Sequence, residues 1–144
     1  MMANLDRLAA QHAQSIITNT KNQKVSDIEN TVTKALGVLQ EDGVYACFLY
    51  LLAKEKANGQ AVVQEMLNLL QKLGFEWNKP QKNGTNDLTS SVVLKHITDN
   101  VTQDLERLLL TKEILEQMLI YARYGAKARQ EETAKNNNQQ EGNL

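Results

Sequence analysis

The stretch VYACFLYLLA, residues 44–53, is apolar at every position. A membrane-spanning helix needs about 20 such residues, so this run is too short for a span and predicts a buried helix. A helix with no polar face must be enclosed by its neighbours. The rest of the chain therefore has to supply several packing partners. With 144 residues, 42% of them hydrophobic and 23% charged, it is long enough to close one core without staples. One proline, few β-branched residues and apolar positions recurring at three and four predict that the partners are also helices. The expected fold is all-α: a single-domain bundle of about five or six helices over residues 1–129, with a disordered polar tail over 130–144.

The first helix is expected from about Asn4 to Thr18, with Leu5, Leu8, Ala9, His12, Ile16 and Ile17 on one face. Ser26-Asp27-Ile28-Glu29 has the pattern of a capping box, opening a second helix that carries Ile28, Val32, Ala35, Leu36 and Leu39 and ends at Asp42-Gly43. The apolar third helix is expected over 44–57, stopped by Asn58-Gly59. An amphipathic fourth helix follows and stops at Gly74. FEWNKPQKNGTND, residues 75–87, is the longest irregular stretch and holds the only proline and the only tryptophan. Helical pattern resumes near Leu88, with a break expected near Asp99-Asn100. The last helix carries a seam at 101, 105, 108, 115, 119, 122 and 126, interrupted by Lys112.

The residues offer no catalytic constellation. His12 and His96 each stand alone on an amphipathic helix, without a second ligand at metal-binding spacing. Cys47 lies in the most apolar segment, where burial raises a thiol pKa and makes it inert. Glu41-Asp42 and Glu131-Glu132 are adjacent carboxylates that point in different directions. No phosphate-binding glycine loop, nucleophile elbow or HExxH motif is present. The expectation is a protein that is not an enzyme and takes no metal, cofactor or small-molecule substrate. A single cysteine and an N-terminus without a basic start and apolar run fit a cytoplasmic chain with no membrane association.

Net charge is −1, against a free-standing tight nucleic-acid binder, but its distribution is uneven. Residues 1–24 carry +2 (Arg7, Lys21 and Lys24 against Asp6) and 117–129 carry +3, whereas 25–42 carry −3 and 130–144 carry −2. Any electrostatic site must be local. At 100° per residue, the final helix turns Leu115, Met118, Leu119, Ala122, Gly125 and Ala126 inward, and Arg129 follows them at the helix end. Arg123 and Lys127 fall together on the outer side, with Ile120 and Tyr124 beside them. Two cations next to an apolar–aromatic pair read either as the usual positive charge at a helix end or as a contact strip for a protein partner, or for phosphates and bases. Arg7, Lys54 and Lys56 are further cationic candidates, the last two closing the apolar helix.

The chain is similar to a known family in four places. They are an N-terminal LDRLAAQHA, an Asp42-Gly43 turn into GVYACFLYLLAK, an amphipathic helix after it, and a closing LLLTKEILEQMLIYARYGAKA. Over roughly residues 4–129 this resembles the small helical subunit of the type III-B CRISPR (Cmr) RNA-targeting effector complex. Two departures stand out. In the closing helix Tyr121 occupies the place where the family tends to have tryptophan and Arg123 alone stands where it has a basic pair, with Tyr124 beside it; and the loop 75–87 is longer than the helical core requires. The resemblance implies a non-catalytic role in antiviral defence. Such subunits stack as an inner filament, with copies of themselves and other Cmr subunits as partners. They present a basic face to the guide and target RNA without sequence readout. The rival expectation is a helical adaptor that binds only protein, through Ile120, Tyr124 and the ends of the apolar helix.

Overall fold

The computed structural model describes residues 4–73, 81–82, 85–86 and 89–142. It is an all-α bundle: α1 (Leu5–Asn19), α2 (Val25–Asp42), α3 (Val44–Lys54), α4 (Ala57–Gln71), α5 (Ser90–His96) and α6 (Leu105–Gly142). Between α4 and α5 lies a two-residue antiparallel pair, β1 (Gln81–Lys82) and β2 (Thr85–Asn86), within the stretch expected to be irregular. The remainder of 75–87 is outside the described residues.

The expected core positions are the observed ones on α2, where Ile28, Val32, Ala35, Leu36 and Leu39 are all buried. On α1, Ala9, His12, Ala13 and Ile16 face inward, and the Asn4 side chain caps the helix by accepting from the Arg7 amide at 3.1 Å. Gly43 ends α2 with φ 99°, a conformation that favours glycine, and its N–H reaches the Leu39 carbonyl at 3.1 Å.

Four local expectations are corrected. The capping box does not form: α2 begins at Val25, which packs against the core and draws Ser26 into the first turn. Asn58-Gly59 is not a stop; α3 ends at Lys54, and both residues lie in the first turn of α4. Gly59 instead permits close approach. A Cβ there would collide with the Leu51 carbonyl oxygen and sit 2.6 Å from the Glu55 Cβ. The apolar helix is not fully enclosed either. Val44, Cys47, Phe48 and Leu51 are buried, but Tyr45 and Leu49 are 39% and 44% exposed. Leu105, expected on the seam of the last helix, is 68% exposed, because the core contact of α6 begins one turn later with the partly buried Leu108.

The expected break near Asp99-Asn100 is a π-helical turn over Ile97–Val101. Its wider hydrogen bond, Thr102 N–H to the Ile97 carbonyl at 3.0 Å, is flanked by Asn100, whose side chain donates to the His96 carbonyl at 3.0 Å. Asp104 then restarts the chain, accepting the Glu106 amide on its side chain at 2.9 Å.

α6 is the spine of the bundle. Tyr121 donates to Asp6 near the start of α1, and Arg129 reaches the far end of α1, so these helices run parallel. Gln40 meets Glu116 and Glu29 meets Lys127, so α2 runs antiparallel along the other flank of α6. Beyond Arg129 the residues through 135 are all exposed, in keeping with a polar tail outside the bundle, although the helical backbone continues to Gly142.

Candidate nucleic-acid interface

The two flanks of α6 divide the cations of YARYGAKAR between them. On the α1 side, Arg129 is spent on structure, as its inward turn predicted. Its Nη1 donates to the Ile17 carbonyl at 3.1 Å and its Nη2 to the Lys21 carbonyl at 2.8 Å. α1 has no basic residue in its own last turn, so α6 supplies the cation that complements its carbonyl end. Tyr121 is anchored on the same side; its bond to Asp6 pushes the phenol pKa up.

On the α2 side the cations are not spent. Arg123 is half-buried, its Nε is enclosed without a hydrogen-bond partner, and it has no ion-pair partner among the described residues. Lys127 stands 3.9 Å from Glu29 Oε1, a long pair with its side chain 46% exposed. Enclosing part of a guanidinium without an acceptor is unfavourable. The enclosed Nε is out of reach of an outside anion, whereas the rest of the guanidinium and the Lys127 ammonium are open to one.

The strip itself differs from the sequence picture. Ile120, expected to face outward, packs half-buried against the core, and Lys127 turns toward Glu29 of α2, with Arg123 four residues before it on the same stripe of α6. Only Tyr124 is fully outward, at 63% exposed. A helical wheel places residues relative to their own axis and cannot show where the neighbouring helix lies.

Lys54 and Lys56 fall on the opposite flank of the same turns of α2. They line a groove of about 540 Å³ with Asp27, Asn30, Lys34 and Glu55. Thr31 donates to Glu55 Oε2 at 3.1 Å, and Tyr50 donates to Glu55 Oε1 at 2.9 Å. Burial first, and then this carboxylate, push Tyr50 up to about 12. Glu55 is thus held by hydroxyls, and none of Lys34, Lys54 and Lys56 has an ion-pair partner among the described residues. Lys34 was missed in the sequence because it sits inside the −3 segment; its signal was a lone cation on the polar face of α2. Arg7 is exposed beside Asp6, on the α1 flank, and shares no groove with the others.

A wider cleft, about 810 Å³, lies elsewhere, between α1 and α6. Its floor includes Ala10, Ala13, Ile17 and Gly125, and Arg129 at its rim is the cation already bonded to carbonyls. Lys21 also lines it without an ion-pair partner among the described residues, but Asp6 and Glu132 share that lining.

The histidines and the cysteine are packing groups. His12, far from standing alone, pairs with Glu65 at 3.0 Å in the core between α1 and α4. Glu65 is held in turn by Asn68 at 3.1 Å. Burial lowers the His96 pKa, partly offset by Asp99. Burial pushes the Cys47 thiol up to about 12, as its apolar setting predicted. Among the described residues, no group of three or more His, Cys, Asp and Glu side chains could hold a metal ion, and no helix is long and apolar enough to cross a membrane. No protein-family model, curated protein or solved structure matches this chain.

Proposed function

We propose that the chain is a non-catalytic helical subunit of a Cmr-type ribonucleoprotein, contacting RNA through its backbone phosphates without reading sequence. The observation that supports this most is the set of cations without an ion-pair partner among the described residues on both flanks of α2: Arg123 on one, Lys34, Lys54 and Lys56 on the other. Phosphate contacts of this kind give affinity without base specificity. A subunit whose binding is shared across an assembly needs no high net charge of its own, which accommodates a total of −1.

The second reading, a protein-only adaptor, is favoured by the exposed apolar residues Tyr45, Leu49 and Tyr124. Ionic strength separates the two. Co-purification with a guide-loaded complex, repeated with Arg123→Gln/Lys127→Gln, tests the proposal. RNA affinity is expected to fall steeply with salt and to weaken in the variant. Salt-insensitive binding that the substitutions leave unchanged favours the adaptor.

A further inference from the structure

The strip on α6 does not explain Lys34. It lies on the exposed face of α2 and opens into the groove shared with Lys54 and Lys56. α2 separates that groove from Arg123 and Lys127: Thr31 is bonded to Glu55 on one flank, while Glu29 faces Lys127 on the other. Asn30, between these two contacts, is exposed, so no other part of the described chain covers the ridge there.

A helix with its side chains is about 10 Å across, too wide for one phosphate to touch both sets of cations. A nucleic-acid strand advances about 3.4 Å per nucleotide, so roughly three nucleotides cover the distance. The opposing charges are Asp27 at the groove, Glu29 and Glu131 around Lys127, and Glu55, which its two hydroxyl donors hold in place.

We infer that α2 is a saddle crossed by a single phosphodiester strand, with Lys34 as the middle contact between Lys54 and Lys56 on one side and Arg123 and Lys127 on the other. The inference rests on the RNA-contacting reading above and adds a residue, a path and a ligand class. The ligand is a strand of several phosphates, not a mononucleotide or free phosphate. Asp27 opposes the strand, so its removal strengthens binding.

Fluorescence anisotropy of the full chain with a labelled homopolymeric RNA, over a range of salt, tests this. Lys34→Gln is expected to lower affinity and to reduce the slope of log K against log salt by about 0.7. Asp27→Asn is expected to raise affinity, and a nucleoside triphosphate to compete poorly. If Lys34→Gln binds like wild type while Arg123→Gln/Lys127→Gln is weakened, the strand does not cross α2 and only the inference is lost. If none of these variants alters RNA binding, the RNA-contacting reading is lost with it. Full competition by the triphosphate overturns the strand in favour of a nucleotide site. An effect of Lys34→Gln confined to capture of a protein partner assigns the groove to protein and overturns it also.

Discussion

The α1 flank and the α2 flank of α6 are built from the same nine-residue stretch, yet they treat polar groups in opposite ways. Toward α1 the groups are consumed by the fold: Arg129 binds the carbonyls of Ile17 and Lys21 at the end of α1, and Tyr121 binds Asp6. Toward α2 they are left over: Arg123 has an enclosed, unpartnered Nε, and Lys127 reaches Glu29 only at 3.9 Å. Adjacent turns of one helix thus do different work. Where donors meet carbonyls they hold the bundle together; where they meet no acceptor they are available to something outside it.

This contrast is open to breakage. The largest effect is expected on the α1 side of the bundle. Glu65→Ala leaves the buried His12 without its partner and opens a hole, so stability is expected to fall by about 3 kcal/mol in urea unfolding. A loss below about 1 kcal/mol would show that the pair contributes little. Arg129→Met removes two charge-assisted hydrogen bonds at a half-exposed site, and a loss of about 1–2 kcal/mol is expected, with RNA affinity unchanged. Arg123→Gln is expected to do the reverse: stability within about 0.5 kcal/mol of wild type, with weaker RNA binding. If Arg123→Gln destabilises as much as Arg129→Met, the two flanks do not differ in kind.

The smallest effect concerns groups on neither flank of α6. The unfolded Cys47 thiol ionises near 9.0, whereas the folded one keeps its proton to about 12. Above pH 9 the unfolded state therefore binds fewer protons, and stability declines as pH rises toward 12. Tyr50, raised from 10.0 to about 12, acts in the same direction. Alkaline unfolding of Cys47→Ala is expected to lose the Cys47 part of this decline and keep the part due to the tyrosines.

What could be read from the sequence follows the reach of its patterns. Apolar spacing of three and four located the helices and the buried face of α2, because a helix repeats its own geometry along the chain. The same pattern misjudged Leu105 and the enclosure of α3, since burial depends on where neighbours end. Gly59 looked like punctuation because a close approach to Leu51 and Glu55 leaves no local mark. The pairing of His12 with Glu65 spans 53 positions and joins two helices whose adjacency no local spacing encodes. The candidate cations were found by charge and helical angle, but their grouping needed α2 between them. Lys34 shows this best, masked by the acidic residues around it in sequence and brought beside Lys54 and Lys56 only by the fold.

The central claim is that the cations flanking α2 await phosphates. Its most direct test is the salt dependence of RNA binding by the wild-type chain, compared with a variant in which Arg123, Lys127, Lys34, Lys54 and Lys56 are all changed to Gln. A steep wild-type slope is expected, flattened in the variant by roughly 0.7 per removed contact, with the unfolding midpoint retained. A wild-type slope near zero, or a variant that keeps the full slope, would contradict the account.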